Sequence, residues 1–203
     1  MNYLIASLLG AASSMLIINT AQAQAENTDW PCIQVFVPEV SVAVHWPMEI
    51  SEAELTSWRD NKEVADLAQK LGDLESYTDE LHAEVATFAE SLSEADQLPT
   101  LNRLAAGIVD VTNDRRSLFL KGIKRYTRQQ SAIATKIEAM LNDVAAMDGT
   151  EQADSRAELQ ETLHWQERIY DQREQSIIAL CDRPVELEQT LSEVLRDVAQ
   201  YLP

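Results

Sequence analysis

Residues 115–144 read RRSLFLKGIKRYTRQQSAIATKIEAMLNDV. With successive residues 100° apart, Phe119, Ile123, Tyr126, Ile133, Ile137, Leu141 and Val144 share one stripe, and Lys121, Lys124, Arg125 and Arg128 fall on the far side. No proline interrupts the run and Gly149 is placed to cap it, so the pattern predicts a helix of about thirty residues. Three positions on the stripe are not apolar: Arg115, Gly122 and Gln130. A mid-helix glycine costs about 1 kcal/mol against alanine, and the usual compensation is close approach of another backbone. An arginine or glutamine facing a core needs partners, since burial without them costs several kcal/mol.

From Arg115 to Lys136 there are seven basic residues and no acidic one, in a chain of formal charge −18. Two readings of the basic face stand side by side. It offsets acidic helices beside it, or it docks an anionic partner or ligand. Nucleic acid is excluded as a partner, because the rest of the molecule would repel it.

Residues 1–25 carry no charged side chain, and an apolar run from Leu4 to Ile18 leads into Ala21-Gln22-Ala23-Gln24-Ala25. Small residues at −3 and −1 are what signal peptidase requires, so a cleaved signal peptide ending at Ala23 or Ala25 is expected, and with it a periplasmic location. No later segment is apolar enough to predict a membrane span. The acidity also argues against anionic lipid. In an oxidising compartment the two cysteines, Cys32 and Cys181, are expected to form a disulfide that fastens an N-terminal arm to the last third of the chain. The domain organisation expected is a signal peptide over 1–25, an extended arm over 26–50 and a helical bundle over 51–203.

The arm, residues 29–47, reads DWPCIQVFVPEVSVAVHWP. Ile33, Val35 and Val37 alternate with Gln34 and Phe36, which predicts extended chain, broken by Pro31, Pro38 and Pro47 and folding at most into a poor hairpin about Pro38-Glu39. From Ser51 the pattern turns helical, opened by a Ser51/Glu54 capping box, with Trp58, Val64, Leu67, Ala68 and Leu71 facing one way; this is either one helix bent near Asn61 or two short ones. Thr78 then caps a helix carrying Leu81, Val85, Phe88 and Leu92. Pro99-Thr100 opens another, which either breaks at Asn113-Asp114 or runs on into the central helix. A second long helix is expected over about 152–181, and a last one starting at Asp182-Arg183-Pro184. The fold class is therefore all-α, a bundle of five or six helices with a long antiparallel helical hairpin.

A tight turn at 148–150 makes the two long helices antiparallel neighbours. Gly122 then falls opposite Ser176, Tyr126 near Arg173, Gln130 near Gln166 or Ile169, and Arg115 near Cys181 and Arg183. Tyr126, Gln130, Gln166, Tyr170 and Arg173 gather in one polar seam. These tips either bond one another and fix the register, or line a small pocket for an anionic or carbonyl-bearing ligand or a metal.

Catalytic and metal signals are thin. His45, His82 and His164 lie in different elements, and His164 projects away from its helix's apolar stripe. Glu161 with His164 is a lone Glu-x-x-His pair, where a di-metal bundle needs two. No glycine-rich phosphate loop, GxSxG motif or cofactor signature occurs. The DWPCIQ…VPEVS opening, with its following tryptophan, and GIKRYTRQQ in the long helix together resemble a group of exported bacterial proteins that open with a DWPC segment. The resemblance implies export and no particular activity. The function expected is non-enzymatic: binding of a protein partner through Lys121, Lys124, Arg125 and Arg128. The alternative is a carrier that uses the polar seam.

Overall fold

The computed structural model describes residues 29–147 and 152–203. The expected signal peptide and the Gly149 cap lie outside the described residues. Six α-helices follow the arm: α1 (Val42–His45), α2 (Glu52–Ser57), α3 (Lys62–Gly72), α4 (Asp79–Ser91), α5 (Glu94–Ala146) and α6 (Ala153–Val198), with short 3₁₀ turns at Trp58–Asp60 and Ala199–Tyr201. The fold is all-α, and no strand occurs among the described residues.

Local chemistry sets the boundaries. Ser51 and Glu54 form the capping box that opens α2, and Glu54 also accepts from the Ser51 hydroxyl at 2.6 Å. The Asn61 side chain accepts from the backbone N–H groups of Glu63 and Val64, so the chain restarts as a second helix there rather than bending. Ser93 caps α5 by accepting from Asp96. Thr78 stands at the start of α4 but its side chain makes no capping bond.

The two long helices run further than their sequence punctuation suggests. α5 passes Asn113-Asp114 without a break and takes Pro99 into its second turn, where a missing N–H costs little. In α6, Pro184 starts no new helix; it lies inside a continuous one and is buried. The reason is periodicity. From Leu159 to Val198 the inward positions are 159, 163, 166, 170, 173, 177, 180, 184, 187, 191, 194 and 198, spaced four and three throughout, and Pro184 falls in phase. On α5 the partners are 116, 119, 123, 126, 130, 133, 137, 140 and 144. This is a heptad seam between antiparallel helices. Met140 rather than Leu141 turns inward, as the 3.5-residue period requires and the 3.6-residue wheel does not.

The core sits at one end of the hairpin. Trp46, Trp58, Val64, Leu71, Val85, Leu101, Leu104, Ile108, Leu191, Leu195 and Val198 are among the residues that close it. There α3 lies against α5 with almost no gap. A Cβ added at Gly107 would stand 2.8 Å from Ala68 Cβ and 2.9 Å from the Trp58 ring, and one at Gly72 would stand 2.6 Å from Val111 Cβ. Close backbone approach is therefore the role of Gly72 and Gly107. The pairing of Gly122 with Ser176 does not occur: a Cβ at Gly122 would meet nothing within 4 Å, and Ser176 is exposed.

The arm is pinned to this frame at several points. Cys32 is bonded to Cys181 across a sequence separation of 149, with their Cα atoms 5.6 Å apart. Loop-entropy arguments give such a closure up to about 4–5 kcal/mol. Gln34 donates to the Cys181 carbonyl at 2.6 Å. Asn113, mid-helix on α5, accepts from the Val40 N–H at 2.8 Å and donates to the Val40 carbonyl at 2.9 Å, serving the arm as a neighbouring strand would. Buried Arg116 donates to the carbonyls of Val37 and Pro38 and pairs with Glu188 at 2.7 Å. The alternation along the arm is real but its sense is reversed. Gln34 and Phe36 turn toward the helices, and Ile33 and Val35 stand out at 103% and 83% exposure. The inward positions are the ones with partners: Phe36 meets Trp30 edge-on at 5.1 Å, and Trp30 Nε1 donates to the Gln34 carbonyl.

Candidate functional site

The outer face of α5 carries the basic residues. Leu118, Lys121, Arg125 and Arg128 are exposed and recur about one helical turn apart. Two of the four expected docking residues are engaged by the chain's own arm. Lys124 Nζ lies 3.7 Å from the Phe36 ring centroid, a cation–π contact, and Arg128 pairs with Asp29 at 2.8 Å. Lys121 and Arg125 make no ion pair with any described residue. The arm thus divides the basic row into an engaged inner half and an open outer half.

The polar seam forms, with its members turned on one another. The Tyr126 hydroxyl donates to the Arg173 carbonyl at 3.1 Å, and the Arg173 guanidinium stacks 4.0 Å from the Tyr126 ring centroid. Gln130, buried, donates to the Tyr170 carbonyl at 2.9 Å and accepts from Arg173 at 3.2 Å, one turn from the expected pairing with Gln166 or Ile169. Gln129 accepts a further Arg173 bond at 3.3 Å. Gln166 is half-buried beside them, and Tyr170 enters through its backbone rather than its hydroxyl. No buried side-chain nitrogen or oxygen among the described residues lacks a partner. Such a layer fixes register, because sliding one helix by a turn would leave Gln130 and Arg173 unpaired in an apolar seam.

Arg115 reaches the carbonyl and carboxylate of Asp73 and, at 3.4 Å, Glu75; Arg183 meets the same Glu75 at 3.5 Å. Both guanidinium groups lie within 6 Å of the Phe119 ring centroid. Two cations are thus held together by a shared acid and an aromatic face, which agrees with the expected nearness of Arg115 to Arg183.

Sequence reasoning missed a polar cluster at the C-terminal end of α6. Asp197, buried, accepts from the Tyr77 hydroxyl and contacts His82 Nδ1 at 2.7 Å. Burial, and then the hydrogen bond to Asp197, raise the Tyr77 phenol well above its ordinary range, so it stays a donor. Asp197 lies in phase beside Val194 and Val198, but Tyr77 sits in a loop, and no spacing rule connects the two. Among the described residues, no group of three or more His, Cys, Asp or Glu side chains is placed to hold a metal. His164 is exposed.

A groove of about 520 Å³ runs between the arm and α5, with Phe36, Pro38 and Glu39 on one side and residues from Asp110 to Lys124 on the other. Among the described residues, no helix is long and apolar enough to cross a membrane. Set against known proteins, the chain matches no family model, no curated protein and no solved structure.

Proposed function

We propose that this is a non-enzymatic exported protein, working in the periplasm, that binds the acidic surface of a protein partner through the outer face of α5. Lys121 and Arg125 make the primary contacts, Arg128 and Lys124 flank them, and Leu118 supplies apolar area. The observation that carries this reading is the state of Lys121 and Arg125: exposed, on consecutive turns, with no ion pair to any described residue in a chain of charge −18. A face that existed only to offset acidic neighbours would be covered by them. The Cys32–Cys181 bond fits an oxidising compartment and hence export.

The test is capture from a periplasmic extract at low ionic strength on the immobilised mature protein. The reading expects a partner that is released as salt is raised toward 0.5 M, where screening shortens the reach of exposed charges to about 4 Å. The partner should be lost from the Lys121→Glu/Arg125→Glu double variant. A partner retained equally by the double variant refutes the assignment to this face.

A further inference from the structure

The groove between the arm and α5 is bipolar. Lys121 and Lys124 stand at one end, and Asp114 and Glu39 toward the other. Its apolar lining includes Leu120, itself 5% exposed, and Phe36, whose ring Lys124 already caps. Asp110, further along the same wall, is held by Arg59 at 3.0 Å. Asp114 makes no ion pair with a described residue, and Lys121 likewise makes none. Rise along a helix separates Asp114 from Lys121 by about 10 Å and from Lys124 by about 15 Å. An extended chain advances about 3.3 Å per residue, so a peptide of three to five residues spans that interval. The volume, about 520 Å³, falls within the range of small-ligand sites.

We infer that this groove binds a short extended peptide with free ends, its ammonium at Asp114 and Glu39 and its carboxylate at Lys121 and Lys124. Charge complementarity selects this ligand. A purely anionic ligand would meet the two acids, and a purely cationic one the two lysines; a zwitterion of this length satisfies both ends at once. The floor of Leu120 and Phe36 takes small apolar side chains without base-specific or sugar-specific contacts. The site is separate from the outer face of α5, because Arg125 and Arg128 do not line the groove.

Isothermal titration of the disulfide-intact mature protein with tetraalanine, and with N-acetyl-tetraalanine amide, tests this directly. Tetraalanine should bind, and the doubly capped peptide should bind roughly tenfold more weakly, as expected when two partly exposed ion pairs are lost. Asp114→Lys and Lys121→Glu should each weaken tetraalanine binding several-fold while leaving the capped peptide unchanged. Both side chains are solvent-facing, and the far-ultraviolet dichroism of each variant checks that the fold is kept. Arg125→Glu should leave peptide binding intact. Equal affinity for the two peptides, indifference to both charge reversals, or no heat with tetraalanine at 5 mM (a concentration on the order of millimolar affinity) would each overturn the inference.

Discussion

Replacing two helical glycines by alanine, one at a time, should move stability in opposite directions. Both Gly107 and Gly122 lie inside α5, so alanine gains about 1 kcal/mol of intrinsic helix propensity at either site. At Gly122 the new methyl enters open space, with nothing within 4 Å, and that gain should appear undiminished. At Gly107 the methyl would sit 2.8 Å from Ala68 Cβ and 2.9 Å from two Trp58 ring atoms. Ala68 is fully buried and Trp58 3% exposed, so neither yields without moving α3. Overpacking of this kind costs about 1–3 kcal/mol, which cancels or exceeds the propensity gain. The expected result is Gly122→Ala more stable by about 1 kcal/mol and Gly107→Ala unchanged to less stable by about 2 kcal/mol. Urea unfolding followed by far-ultraviolet dichroism measures both. For a chain of this size the same differences appear as about 2–4 °C in Tm per kcal/mol. If both variants gained equally, the tight contact at Gly107 would be illusory; if Gly122→Ala lost stability, a backbone would have to lie closer to α5 than described.

Arg116→Met removes the partner of Glu188 and of two arm carbonyls, and should cost about 3 kcal/mol by urea midpoint while raising amide exchange at Val40. Reduction, or Cys32→Ser, should lower stability by up to about 4 kcal/mol and free the arm, read as increased protease cleavage near Phe36; an unchanged cleavage pattern would mean that Asn113 and Arg116 hold the arm unaided. Burial by itself would raise the Glu54 carboxyl, but hydrogen bonds from the side chain and backbone of Ser51 and from Asn102, with the nearby Arg103 charge, hold it below its ordinary 4.5. A depressed carboxyl contributes stability that is present above its unfolded pKa and lost as pH falls through the folded one, so the urea midpoint should drop below about pH 4.5, and Glu54→Gln should blunt that drop. Arg173→Met leaves Gln130 short of one bond and should loosen the hairpin by about 1–2 kcal/mol with helix content retained, seen as faster amide exchange at residues 126–137.

Much of the fold was legible because apolar spacing is a local property. The capping boxes, the inward residues of α3 and α4, the antiparallel hairpin and the Cys32–Cys181 bond all follow from patterns confined to one element or from counting. Two punctuation marks misled. Pro184 resembles a helix start when Asp182-Arg183-Pro184 is read alone, yet Leu180, Pro184 and Leu187 keep the four-three rhythm, and the rhythm wins because the core continues through it. Asn113-Asp114 resembles a break, but Asn113 has its bonding satisfied by the arm, a contact more than seventy residues distant in sequence. The reversed facing of the arm has the same origin. β-branched alternation signals extension without saying which side is covered, and that was decided by Lys124 and Trp30 meeting Phe36. At the candidate site, the basic face and the seam could be placed from the helical wheel. The groove depends on where the arm lies, which no local spacing encodes.

The placement of the core at one end of the hairpin has a consequence for how the molecule moves. At about 1.5 Å per residue, the 53 residues of α5 extend about 80 Å, with only the first third embedded among other helices. A globular chain of about 180 residues has a radius of gyration near 16 Å. Mass carried out along a two-helix rod raises that value and the friction with it, so a single copy should tumble slowly about two axes, sediment late and leave a sizing column ahead of a sphere of equal mass. Elution volume alone would therefore report a dimer where light scattering reports one chain.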